Sequence, residues 1–182
     1  PGAGVTKTDS FRYTMQDTAT ATSSATLFIT LTGSAAADPI PVANTATAVE
    51  AGGTANGSAG TDPTGNLVSD DNANGAGTLS LSTIKSSQVS SETSVPGTST
   101  VSPPAAYSGD ANYSASVTGL YGTLYVRADG TYRYVVDNTN ATVQALRTTG
   151  NTLSDVFQYK ETGLGGGSSY STLTVTIQGA ND

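Results

Sequence analysis

Residues 121–146 read YGTLYVRADGTYRYVVDNTNATVQAL. Leu124 and Val126 alternate with Thr123, Tyr125 and Arg127, and beyond Ala128-Asp129-Gly130 the alternation resumes with Tyr132, Tyr134 and Val136. A two-residue period puts every second side chain on the same face of a strand, so the segment predicts a half-buried hairpin. An Asp-Gly pair between two alternating runs supplies its turn. Asp129 and Asp137 therefore read as turn and cap residues, with Asp137-Asn138-Thr139-Asn140 starting one helical turn that ends near Ala145 and Leu146. It is the only helical turn the sequence predicts.

Working outward, the same period recurs. Leu79 and Leu81 alternate with Ser80 and Ser82, and residues 46–50 predict a short first strand before the Gly52-Gly53 turn. Residues 54–77 hold little apolar material besides Leu67 and Val68. Residues 86–106, with Pro96, Pro103 and Pro104, read as a long loop or an edge excursion. Towards the end of the chain Phe157 and Tyr159 share one strand face. Leu173, Val175 and Ile177 share another, with Thr172, Thr174 and Thr176 opposite them and a glycine run at 163–167 between the two strands.

Composition agrees with an all-β chain. The 182 residues include 31 Thr, 22 Ser and 21 Gly, a mixture that suits twisted, half-exposed strands joined by tight turns. There is no Cys, His or Trp, which excludes disulfide scaffolds, Cys/His zinc sites and His-based catalytic triads. Fourteen acids against seven bases give a net charge of −7. With no basic stripe, nucleic acid is not an expected partner. No run approaches the length of a membrane span, and no basic start with an apolar core marks an export signal, so membrane insertion is not expected.

The chain also repeats itself. At an offset of 146 residues Asp9, Phe11 and Tyr13 fall on Asp155, Phe157 and Tyr159, and Thr26, Leu27, Thr30 and Gly33 fall on Thr172, Leu173, Thr176 and Gly179. Ile29 and Leu31 fall on Val175 and Ile177. Residues 1–36 thus read as the C-terminal hairpin of a preceding repeat, and residues 37–182 as one nearly complete repeat. An isolated hairpin is marginal in water, so the first hairpin is expected to be disordered, to dock on the next domain, to pair with a neighbouring molecule, or to complete a differently phased domain with residues 40–110.

The run 121–146, followed by TLSDVFQY (152–159) and STLTVTIQGAND (171–182), resembles the VCBS-type, cadherin-like repeats of large bacterial surface adhesins exported by type I secretion. ANTATAVEAGG (43–53) and GNLVSDDNANGAGTL (65–79) look like the front half of such a repeat. The resemblance implies an immunoglobulin- or cadherin-like β-sandwich, an extracellular place at the bacterial surface, neighbouring repeats of the same chain as partners, and rigidity that depends on Ca2+. The function it implies is that of a non-catalytic extender in adhesion or biofilm formation.

Two sets of residues are candidate Ca2+ ligands. Asp70, Asn72 and Asn74, followed by Gly75, place oxygens at alternate positions like the first half of an EF-hand loop, although Leu81 stands where the distal Glu belongs. An Asx-rich turn without metal is the competing reading. Through the resemblance, Asp38, Glu50 and Asp182 correspond to ligands at repeat boundaries.

Nine Tyr suggest a second function, carbohydrate binding to a cell-surface or matrix polysaccharide through Tyr125, Tyr107 and Tyr113, against which stands the need for Tyr to supply core volume in a chain without Trp. No Asp/Glu pair suggests opposed pKa values, so no catalytic residue is assigned.

Overall fold

The structure, a computed structural model, describes residues 4–180. Two long strands open the chain, β1 (Thr6–Gln16) and β2 (Thr22–Thr32). They are followed by β3 (Asn44–Val49), β4 (Thr64–Asn66), β5 (Leu79–Ser86), β6 (Thr93–Ser94), β7 (Ala115–Thr118), β8 (Gly122–Val126), β9 (Thr131–Val136), β10 (Thr152–Gly163) and β11 (Ser168–Gln178). The protein is all-β, as composition and periodicity indicate.

Residues beyond the first hairpin form a sandwich. One sheet has the order β3-β11-β10-β5-β6 and the other β4-β9-β8-β7. Inward side chains of β10 and β11, among them Phe157, Tyr159, Leu173, Val175 and Ile177, meet Leu124, Val126, Tyr132, Tyr134 and Val136 of the second sheet, all buried. The Phe157 and Tyr134 rings pack edge to face with centroids 5.9 Å apart.

Local sequence explains the joints. Asp129 accepts the N–H of Thr131 at 2.9 Å and Gly130 takes a φ of 87°, as the β8–β9 turn requires. Asp137 accepts from both the N–H and the hydroxyl of Thr139, closing an Asx turn where the sequence predicted a helix cap. The turn that follows closes single bonds from the Gln144 N–H to the Asn140 carbonyl and from the Leu146 N–H to the Val143 carbonyl and buries Val143 and Leu146, but it is no helix. Among the described residues two 3-10 turns occur elsewhere, Thr54–Asn56 and Ala105–Tyr107.

Two features depart from simple antiparallel alternation. Glu161 pairs with Leu81 and Lys160 with Thr83, leaving Ser82 as an extra residue on β5, and this bulge brings Leu81 and Ile84 to the same buried face. β3 runs parallel to β11, from Leu173 opposite Asn44 to Gln178 opposite Val49, whereas the other strand pairs are antiparallel.

The first hairpin pairs only with itself in a two-stranded sheet, and residues along both strands are exposed. Its register repeats that of β10–β11 with each position displaced by 146: Asp9 faces Ile29 as Asp155 faces Val175, and Phe11 faces Leu27 as Phe157 faces Leu173. The hairpin is therefore folded and undocked, and the sandwich is completed by β10–β11 rather than by the early strands. Phe11 is 52% exposed where Phe157 is fully buried. Phe157→Ala is expected to cost about 3–5 kcal/mol, and the equivalent Phe11→Ala less than about 0.5 kcal/mol, in urea melts of the two variants.

Candidate functional site

The chain comes into the sandwich at one end and leaves at the other. At the first end, residues 38–42 are stitched between the loop 70–76 and the start of β11. Ser168 donates its N–H to the Asp38 carboxylate at 3.0 Å, and the Ser169 hydroxyl donates to the Pro39 carbonyl at 2.7 Å. Ile40 and Asn72 form an isolated antiparallel bridge, and Asn74 donates its side-chain amide to the Asp38 carbonyl at 3.0 Å. Asp71 accepts the Val42 N–H at 2.6 Å through Oδ1.

The six residues proposed from sequence are distributed as follows. Asn72 accepts the Asn74 N–H at 2.8 Å, an Asx turn, and Asn74 presents its amide as a donor while its backbone takes a φ of 47°. Asp70 is exposed. The structure thus brings Asp38, Asn72 and Asn74 together as a hydrogen-bonded seam, and these contacts do not make an oxygen cage. Glu50 lies at the opposite end, fully buried, accepting the Ala180 N–H through Oε1 at 3.0 Å while its own N–H bonds to Gln178. Asp182 lies outside the described residues.

Two buried carboxylates that sequence reasoning passed over are more informative. Asp155 is fully buried and fully served: Leu120 and Tyr121 donate their N–H groups at 3.1 and 3.0 Å, and the Tyr134 hydroxyl donates at 3.0 Å. Gly119 is required beside it, because a Cβ there would collide with the carboxylate. Burial, reinforced by Asp155, holds the Tyr134 phenol protonated well above its usual range.

Glu161 is the opposite case. It too is fully buried, yet neither carboxyl oxygen has a hydrogen-bond partner, and Oδ2 of Asp71 beside it is buried in the same condition. Burial and then the neighbouring Asp71 push the Glu161 carboxyl up to about 8. Among the described residues no three acidic side chains gather as a metal cluster, so this pair is the strongest acidic candidate for holding a cation. The signal for both buried acids was parity: Asp155, Phe157, Tyr159 and Glu161 share one face of β10.

The Tyr residues considered for sugar binding are engaged within the molecule. Arg133 stacks over Tyr107 at 3.8 Å and Arg127 over Tyr113 at 4.7 Å. Tyr113 is buried, and its hydroxyl donates to Asp110, which also binds Arg133 at 2.8 Å. The Tyr107 hydroxyl donates to Asp62. This network pins residues 99–114 onto β8–β9 and covers one face of the Tyr107 and Tyr113 rings, while Tyr125, half-buried, sets its ring against Tyr113 with centroids 5.5 Å apart.

No protein-family model matches the chain, and comparison with curated proteins returns no match. The site's electrostatics give a direct prediction. Below its ordinary value of 4.5, Glu161 is protonated folded or unfolded; between there and about 8 only the folded state keeps the proton, so stability falls as pH rises. In chelator the slope is expected to approach about 1.4 kcal/mol per pH unit, and Glu161→Gln is expected to abolish that part of the fall in melts run from pH 5 to 8.

Proposed function

We propose that the chain is part of a non-catalytic extender of a bacterial surface adhesin, secreted to the cell exterior and holding a distal binding domain away from the cell. The observation that carries the reading is mechanical. Residue 38 lies beside the start of β11 and residue 180 beyond its end, so the chain traverses the sandwich lengthwise, a path of roughly 35 Å along eleven strand residues.

The first and last strands of that sandwich, β3 and β11, are parallel neighbours in register. Tension applied along the chain pulls them in opposite directions and loads their hydrogen bonds together in shear, rather than one at a time. Resistance to such force is a matter of the unfolding barrier. The second hairpin at an offset of 146 residues supports a tandem arrangement in which neighbouring repeats are the partners. Ca2+ enters this proposal as the cation the resemblance implies, acting on a chain of net charge −7 by neutralising carboxylates that otherwise repel.

Single-molecule pulling tests the reading. Glu50 points its N–H at Gln178, so by strand alternation Ala48 and Ala46 point theirs the same way, and Ala46→Pro removes one of the sheared bonds. Force applied between residues 1 and 182 is expected to meet a higher barrier than force applied between residues 57 and 182, and Ala46→Pro is expected to lower only the first. Equal unfolding forces in the two geometries would count against an extender.

A further inference from the structure

Glu161 poses a problem that no hydrogen-bond donor among the described residues solves. A carboxylate taken wholly out of water needs donors or an opposite charge, since its uncompensated burial is among the costliest events in folding. Asp155, six residues earlier on the same face of β10, meets this requirement with three donors. Glu161 meets it with none, and its neighbour is another buried acceptor, Oδ2 of Asp71. Lys160, next to it in sequence, lies over the Tyr170 ring instead.

We propose that Asp71 and Glu161 hold a divalent cation, Ca2+ by its chemistry, inside the proximal end of the sandwich, the end at which residues 38–42 enter it. The donor set is oxygen alone, which selects hard cations over transition metals. Ca2+ accepts irregular oxygen coordination completed by carbonyls or water, whereas Mg2+ demands near-octahedral geometry and keeps its waters. The site differs from the alternating loop positions Asp70, Asn72 and Asn74: the ligand in the loop is the residue between them.

Its place gives it a task. Asp71 comes from the loop that bridges residues 38–42, and its other oxygen holds the Val42 N–H. A cation fixing Asp71 to Glu161 therefore fastens the segment leading into β3 to the central strand β10. The first hairpin, at the same register, carries Met15 where the second has Glu161, an apolar side chain of similar length at the equivalent position. That pairing supplies a substitution in which burial is retained and the charge is removed.

The inference rests on the two carboxylates and stands whether or not the extender reading holds. The test uses the whole chain at pH 7.5, melted in chelator, in millimolar CaCl2 and in millimolar MgCl2, with calorimetric titration of CaCl2 and amide exchange at Val42 as further readouts. Ca2+ is expected to raise Tm by about 5–10 °C, to slow exchange at Val42, and to do both more than Mg2+. Glu161→Met and Asp71→Asn are expected to abolish the response, with Glu161→Met at least as stable as the wild type in chelator, while Asp70→Asn keeps it. No Ca2+ response would overturn the site. So would a response that survives in Glu161→Met and Asp71→Asn, or equal Ca2+ and Mg2+ shifts that persist in them, because these mark charge screening or binding elsewhere.

Discussion

A β-hairpin with one apolar face gains little by forming alone, because its edges still bond to water and its face still contacts it. This protein carries the same hairpin twice, in the same register, under opposite conditions. β10–β11 lies inside a five-stranded sheet, with β3 against one side of the hairpin, β5 and then β6 against the other, and the second sheet across its inner face. Tyr159 there is 1% exposed; Tyr13, its counterpart in β1, is 49% exposed. The difference between the two copies is what surrounds them, and the rest of the sandwich, from the β8–β9 turn to the bulge on β5, serves to enclose the second one.

Enclosure has an electrostatic cost where the inward face carries acids, and the structure contains three treatments of it. Asp155 is satisfied by hydrogen bonds from two backbone amides and a phenol, which fixes the turn at 119–121 and makes Gly119 irreplaceable. Glu50 ties the exit of β11 to the first strand through Ala180. Glu161 is placed against a second carboxylate and given no donor, and such a pair is stable only with a proton or a cation between its members. The first two fasten structure permanently; the third makes one end of the sandwich responsive to what is dissolved around it.

Much of the fold was legible from residues in a row. The alternation of Leu124, Val126, Tyr132, Tyr134 and Val136 around Asp129-Gly130 gave strands, turn and buried face together, because hairpins are local. The offset of 146 marked the duplicated hairpin, because both copies keep the same strand register. The parallel β3–β11 pairing was not legible, since it joins residues about 130 apart and leaves no periodic mark of its own. The bulge at Ser82 hid behind an apolar pattern that changes phase between Leu81 and Ile84. At the proximal end the sequence drew attention to the conspicuous Asx residues 70, 72 and 74, which fold into a turn and a seam. The acid of that loop with an oxygen turned inward is Asp71, whose neighbour Glu161 is 90 positions away in a strand where every second residue faces inward.

Native-state hydrogen exchange, residue by residue, puts the argument from enclosure to the proof, since it reads the local free energy of opening at equivalent positions of the two hairpins. If covering is what stabilises this hairpin, amides of Phe157, Leu173 and Val175 exchange only through global unfolding, while those of Phe11, Leu27 and Ile29 exchange through low-energy local opening, orders of magnitude faster. Comparable protection in the two copies would mean that the hairpin is stable on its own strand pairing, and that the sandwich does not owe its order to enclosing it.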